Sequence, residues 1–215
     1  MKNNQSGRSM VEMLGVLAII GVLSAGGLAG YSKAMFKHKL NSTMDQITML
    51  VTNIRTMYGT QGNYAGFTAG SAIDLGIVPA VMIAGDTTTN HDADAQHNNQ
   101  AWTSRDVSLT NPFKGDVELL TIKVVAGDTL AHDNSVETGF SITYKGLPDE
   151  ACIALGTADF GSGAGSGFIG AKINEGAMSG QYGASSEGHA YGMDGTKGAI
   201  TLCTGDNNQI TWYFY

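Results

Sequence analysis

Leu40, Met44, Ile47, Val51, Ile54 and Tyr58 recur at spacings of four, three, four, three and four residues. That rhythm lays an apolar stripe along one face of an α-helix. Asn41, Asp45, Gln46, Thr52, Asn53 and Arg55 fall between them and form a polar opposite face. Upstream the pattern changes. From Met13 to Ser32 no charged residue occurs for twenty positions, enough to cross a hydrocarbon core of ~30 Å at ~1.5 Å per residue. No proline precedes Pro79, so nothing forces a break between the two stretches, and Gly59 and Gly62 supply the stop. The pattern predicts one helix from about Ser9 to Tyr58, roughly 75 Å long, apolar on all sides in its first half and amphipathic in its second. Gly15, Gly21, Gly26, Gly27 and Gly30 each weaken the first half by up to ~1 kcal/mol relative to Ala. They also allow close helix approach, and the pair Gly26-Gly27 is where local unwinding is expected.

Beyond Gly62 the chain turns polar and irregular to about residue 112, with "AGDTTTNHDADAQHNNQ" at 84–100 reading as an exposed loop. Strands are predicted at Val117–Val125, Gly139–Tyr144, Phe168–Ile173, Ala199–Cys203 and Gln209–Tyr215. Most are rich in β-branched or aromatic residues and bounded by Gly, Asp or Asn. Pro148 to Leu155 reads as a short helix, with Pro at its start and Asp149 and Glu150 in its first turn. A long helix on a short antiparallel sheet is an α+β architecture.

Composition adds three points. There are 30 glycines against 3 prolines, about twice the usual glycine share, which suits loop-rich β structure rather than a Pro-rich tail. Thirteen of those glycines fall in the 43 residues 156–198, a stretch that cannot build a core by itself. Charge is uneven: residues 1–58 carry six basic and two acidic residues, residues 59–215 six basic and seventeen acidic. An acidic body on a basic, apolar arm fits a domain tethered to a membrane, and the body would repel a nucleic-acid backbone. Cys152 and Cys203 are the two cysteines. In an exported body they read as one disulfide closing a loop of about fifty residues, a constraint of roughly 3–4 kcal/mol. In a cytosolic one they read as two separate buried thiols, so the compartment decides.

The N-terminus bears on the compartment. Lys2 and Arg8, an apolar run and the small residues of "SAGGLAG" suit a cleaved signal peptide, which predicts a mature chain starting near Gly30. The continuity of the run into the amphipathic stripe argues for a retained helix. Basic residues flank the run on both sides, so charge does not set its orientation. Glu12, at the mouth of the run, is followed by no other charge until Lys33. A carboxylate entering a bilayer costs several kcal/mol without a partner.

"SGRSMVEML" at 6–14 resembles the class III signal of type IV pilins and related pseudopilins. The resemblance implies a leader of residues 1–7, cut after Gly7 by a prepilin peptidase, with Arg8 as the new, N-methylated terminus. Glu12 then takes the fifth place that the family gives to a glutamate. The family's first residue is commonly apolar, whereas Arg8 is charged. "GIVPAVM" at 76–82, "LTNPFKGDVELL" at 109–120 and "FSITYKGLPDEACIAL" at 140–155 are similar to segments of the larger, type IVb-like pilins. There a glycine-containing turn leads into the first strand, and a Pro-initiated helix carries the first cysteine of a disulfide-bounded loop.

The resemblance implies a helix over 8–58, with 13–32 as its transmembrane and assembly half and 33–58 amphipathic. It packs on an antiparallel sheet in a head of residues 59–215, whose C-terminal loop is closed by Cys152 and Cys203. It implies a structural subunit that waits in the inner membrane and then polymerises into an extracellular pilus serving adhesion, motility, aggregation or conjugation. Its partners are further copies of itself, the prepilin peptidase and the inner-membrane assembly machinery. Glu12 pairs with the Arg8 ammonium of a neighbouring subunit, because an unpaired charge in low dielectric is expensive; the plainer reading is a helix-end pair with its own Arg8. The alternatives are a major pseudopilin of a type II secretion system and, in another class, a membrane-tethered periplasmic enzyme or binding protein indifferent to Glu12.

No catalytic set is legible: His132 and His189 have no nucleophile beside them in sequence, and no cofactor is expected. "GSGFIG" at 165–170 has the letters of a dinucleotide fingerprint without a strand–turn–helix context. "HDADAQH" at 91–97 matches no standard metal spacing. "DGTKG" at 194–198 and "GDNNQ" at 205–209 hold oxygen ligands that suit calcium, bound near the C-terminus in major pseudopilins, and equally suit turns.

Overall fold

A computed structural model describes residues 6–88, 105–125, 129–131, 138–158, 160, 167–174, 176 and 198–215. The chain divides into two compact units, Met1–Asn41 and Ser42–Tyr215. The first helix, α1, runs without interruption from Ser6 to Tyr58. The unwinding expected at Gly26-Gly27 does not occur. A glycine costs helix propensity, but every backbone N–H after the first turn keeps its i−4 acceptor, and two residues do not outweigh that cooperativity.

Within the second unit, α1 presents Thr43, Gln46, Ile47, Leu50, Ile54 and Tyr58 as its buried face. The expected stripe kept Ile47, Ile54 and Tyr58, while Leu40, Met44 and Val51 are only half-buried. At 100° per residue the buried face is rotated by roughly 60° from the apolar stripe, toward Leu50 and toward Gln46, which had been placed on the polar side. Asn53, also placed there, donates from Nδ2 to the Ile77 carbonyl at 2.9 Å and ties the helix to the chain that follows.

That chain contains α2 (Ala69–Asp74), closed at its start by a capping box in which the Thr68 side chain accepts from the Ser71 N–H and the Ser71 side chain accepts from the Thr68 N–H. Gly76 in the left-handed region (φ 68°) turns the chain toward a 3-10 turn, Ala80–Met82. Two strands follow where irregular chain was expected: β1 (Ile83–Thr88) and β2 (Arg105–Thr110), paired antiparallel. Residues 84–88 of the expected exposed loop are therefore strand, and residues 89–100 lie outside the described residues.

The remaining strands are β3 (Asp116–Val125), β4 (Thr129–Ala131), β5 (Gly139–Leu147), β6 (Phe168–Ile173) and β7 (Asn208–Phe214). The sheet order is β1-β2-β3-β5-β7-β6, all antiparallel, with β4 paired to β3. The helix read at Pro148 is α3 (Asp149–Gly156), with Pro148 as its N-cap. The strand expected at Ala199–Cys203 is instead a single helical turn, α4 (Ala199–Leu202). Five residues carry no period long enough to separate the two, and the Cys203 N–H bonds back to Ala199.

Alternation sorts the sheet. Phe140, Ile142 and Tyr144 of β5 lie opposite Phe214, Trp212 and Ile210 of β7 and share one buried face with Val117 and Leu119. An aromatic chain links this face to the end of α1. Tyr58 stacks on Tyr64 at 5.9 Å, Tyr64 meets Phe140 at 5.1 Å, and Phe140 stacks on Phe214 at 5.4 Å. The other face is polar: Thr143 and Thr211 share a hydrogen bond of 2.8 Å, and Lys145 pairs with Glu118. That ion pair is more than a third exposed and contributes little to stability.

The "NPFKG" turn between β2 and β3 shows what the quoted segments do physically. The Asn111 side chain accepts from the Phe113 N–H at 2.8 Å and the Gly115 N–H at 3.2 Å, and donates to the Lys145 carbonyl at 2.8 Å. Lys114 sits in the left-handed region (φ 69°). Gly115 lies directly against the Lys145 and Gly146 backbone, so two glycines let two main chains approach where β5 bulges between Tyr144 and Leu147.

Tyr144 Oη and Trp212 Nε1 are fully buried without a hydrogen-bond partner among the described residues, their rings 5.7 Å apart. Burial pushes the Tyr144 phenol well above its ordinary value of 10. Tyr144→Phe is therefore expected to be neutral or stabilising by up to about 1 kcal/mol, since it removes an unsatisfied polar atom. The sign of the pH effect follows. The raised phenol contributes stability that is present below pH 10 and is lost as pH rises toward the folded value. Urea titrations at pH 8 and pH 11 check this: wild type should lose more stability than Tyr144→Phe, and equal losses would refute it.

Candidate assembly helix and disulfide-bounded head

Gly7 and Arg8 lie in the first turn of α1, and Glu12 follows Arg8 by one turn. From Met10 to Leu28 every large apolar side chain is solvent-exposed, at 53–75 %. Water is a poor neighbour for such a surface: each large side chain forgoes about 1.5–3 kcal/mol of burial. Contiguous apolar exposure on this scale marks a segment that lipid or protein covers. It is the one helix among the described residues long and apolar enough to cross a membrane. Glu12 is exposed at the start of this surface, and no acidic residue follows it before Asp45. A Cβ built on Gly15, Gly21, Gly26, Gly27 or Gly30 meets nothing within 4 Å. No contact among the described residues requires these glycines, while small residues of this kind let a second helix approach closely.

The head carries the other two site residues. Cys152 of α3 and Cys203, just past α4, are joined by a disulfide with Cα atoms 5.8 Å apart and a sequence separation of 51. Both are buried. The loop they close contains β6, the last strand of the sheet on that side among the described residues. Local sequence prepares the first end. Pro148 opens α3, and its acidic first turn at Asp149 and Glu150 complements the helix dipole.

Asn208 is the residue that sequence reasoning missed. Fully buried, its Nδ2 lies 2.8 Å from the Gly205 carbonyl, 3.1 Å from that of Leu147 and 3.2 Å from Asp149 Oδ1. Its Oδ1 accepts from the Thr204 N–H at 2.8 Å and from Asn174 Nδ2 at 2.9 Å. Asn174, with φ 48°, also donates to Leu202 and accepts from the Gln209 N–H. The pair ties the ends of β5, β6 and β7 to the chain around Cys203. The available signal was parity: Asn208 is the first member of the inward series Asn208, Ile210, Trp212, Phe214. Within "GDNNQ" it serves a turn, with Gly205 in the left-handed region (φ 79°).

Other candidates separate plainly. Phe168 to Gly170 of "GSGFIG" belong to β6, which continues as strand to Ile173 rather than turning into a helix that could face a phosphate. "HDADAQH", His132 and His189 lie outside the described residues, as does "DGTKG" apart from Gly198. Among the described residues, no group of three or more His, Cys, Asp or Glu is placed to hold a metal ion.

The family model described as Bundlin matches residues 33–214. The chain is 23 % identical over 163 residues to the "Major structural subunit of bundle-forming pilus" of Escherichia coli O127:H6, covering 76 % of this chain and 69 % of that one. The same figures hold for the subunit of that name from Escherichia coli O111:H-. Among solved structures it is similar to a type IVb pilin from Salmonella typhi, with TM-score 0.45 and 20 % identity over 80 % of this chain and 97 % of that one. It is also similar to TcpA, a type IV pilin from Vibrio cholerae El Tor, with TM-score 0.47 and 15 % identity over 83 % and 99 %.

Proposed function

The chain belongs to the Bundlin family, and from that premise we propose how this structural subunit of a pilus, which is not an enzyme, is made and assembled. A prepilin peptidase cuts after Gly7, and Arg8 becomes an N-methylated terminus. Residues 13–32 hold the precursor in the inner membrane until the assembly machinery extracts it. The freed subunit then polymerises with copies of itself through α1 into a surface filament, with the head outermost.

One observation carries this reading: an uninterrupted helix that leaves its apolar surface exposed from Met10 to Leu28 and opens on one carboxylate, Glu12. Cleavage supplies the counter-charge. The new ammonium at Arg8 of one subunit pairs with Glu12 of the next, and in low dielectric a register that leaves either charge alone is disfavoured by several kcal/mol. Glu12 thus selects the axial stagger of helix against helix.

Mass and N-terminal sequence of the surface protein, beside a Glu12→Ala variant, test this. A start at Arg8 with one methyl increment and loss of filaments in the variant are the expected results. A start near Gly30, or filaments unchanged without Glu12, would sink the proposal.

A further inference from the structure

Opposite its buried face, the head half of α1 turns a second face outward. Asp45, Thr48, Met49, Thr52 and Thr56 are all exposed and fall within about 100° of arc. A helix face that meets only water usually carries charged side chains, often paired one turn apart. Here Asp45 is the single charge. The three threonines stand one turn apart, and each hydroxyl donates to the carbonyl four residues back: Thr48 to Met44 at 2.9 Å, Thr52 to Thr48 at 2.8 Å and Thr56 to Thr52 at 2.7 Å. With those donors used inside the helix, the row presents largely methyl surface to a neighbour. Side chains at every fourth position form a ridge of the kind that seats against another helix. Threonine is among the poorer helix formers, so propensity does not account for the row.

Asp45 has no ion pair among the described residues, and its one-turn neighbours Asn41, Ser42, Thr48 and Met49 include no base. Lys33 and Lys37 are exposed on the same helix, but eight residues of rise, about 12 Å, keep even Lys37 from reaching Asp45 in its own chain. With Leu40 these lysines lie within about 60° of arc, a basic and apolar face that complements the outward one. An anionic bilayer surface would instead repel Asp45. Lys114 of the head sits in a tight turn, which cannot take a helix ridge. We infer that the outward face of the head half of α1 is a second contact between copies of this chain. The α1 helix of another subunit lies along it, with its Lys33 and Lys37 level with Asp45 and its Leu40 against the threonine ridge. This rests on the filament subunit of the preceding section. The two copies are offset by eight to twelve residues along the helix, against four for Arg8 with Glu12, so this contact joins a different pair of neighbours. Face and counter-face differ, which makes it the heterologous kind of contact that propagates into an open helical polymer.

Filaments sheared from cells that express the full chain provide the test. Thr48→Cys and Thr52→Cys are each combined with Leu40→Cys and mildly oxidised. Eight or twelve residues apart on one helix, the two thiols of a single chain are beyond the Cα separation of about 7 Å that a disulfide spans, and Cys152 is already joined to Cys203. A ladder of crosslinked multimers on non-reducing gels is expected from at least one pair and from no single variant. Asp45→Lys should lower filament yield about tenfold or more, since like charges set face to face are costly, while the membrane-held subunit stays at its wild-type level. Lys33→Asp/Lys37→Asp in the same chain should restore the yield. Filaments that form without either ladder overturn the contact, as does Asp45→Lys at wild-type yield, and both results leave the Arg8–Glu12 pair standing. A yield that the reversed lysines do not restore assigns Asp45 to another partner and also overturns it. A wild-type chain that enters no filament overturns the subunit reading itself.

Discussion

Cys152→Ser/Cys203→Ser is expected to cost the head about 4 kcal/mol, the chain-entropy value for a loop of this length. The closed segment spans 51 positions and contains β6, which pairs with β7 through Phe168, Gly170, Ala171, Lys172 and Ile173. Much of the remaining loop is glycine-rich, so its unfolded form has much freedom to lose. Urea unfolding of wild type and variant under oxidising conditions measures the difference, and hydrogen exchange locates it. The β6 amides should lose protection first, because among the described residues β6 has a partner strand on one side only and the disulfide anchors both ends of its loop. In a chain of this size the melting temperature should fall by roughly 8–16 °C. A loss below about 1 kcal/mol would mean that the Asn174–Asn208 hydrogen bonds hold the loop by themselves.

Gly115→Ala should be nearly as damaging, at about 3 kcal/mol or more, for a different reason. A Cβ at this position overlaps the Lys145 carbonyl group and comes within 2.9 Å of Gly146 Cα. Both obstacles are main chain in the β5 bulge next to the β3–β5 ladder, so neither can turn aside as a side-chain tip would. Relief requires parting two central strands or giving up the Asn111 to Lys145 hydrogen bond. The neighbouring residue supplies the contrast. Lys114 holds a left-handed φ that glycine adopts without strain, so Lys114→Gly should gain about 0.5 kcal/mol after its larger unfolded-state entropy is deducted. Chemical denaturation of both variants reads the pair. Equal and small effects would show that the hairpin tolerates separation of the strands.

These two cases also mark how far the chain could be read without coordinates. The segments around "NPFKG" and "YKGLPDEACIAL" were legible as familiar pieces, and the helix at Pro148, the strand Phe168–Ile173 and the terminal strand all stand where the residues put them. Each has a local cause: proline with acids at a helix start, or alternating β-branched and aromatic side chains. Why Gly115 and Gly146 are glycines was not legible, since they meet across thirty positions of sequence. The strands β1 and β2 were missed because "IAGDTT" and "RDVSLT" are short, polar strands at one side of the sheet with little apolar alternation. Asn208 was missed because an asparagine among turn residues looks solvated until the carbonyls around it are placed.

What the sequence determined by itself is whatever depends on near neighbours along the chain. A charge-free run of membrane length, a helix continuing from it, the strand-forming stretches and the lone carboxylate at the mouth of the run all follow from spacing and residue type. Tertiary structure alone decided three things. It turned the buried face of α1 toward Leu50 and Gln46, because the sheet and its aromatic chain choose which overlapping apolar row is covered. It set Gly115 against the Lys145 and Gly146 backbone, because the pairing of β3 with β5 brings together residues thirty positions apart. And it made Ala199–Leu202 a helical turn, because local propensity over so few residues is weaker than the hydrogen bonds that close the turn.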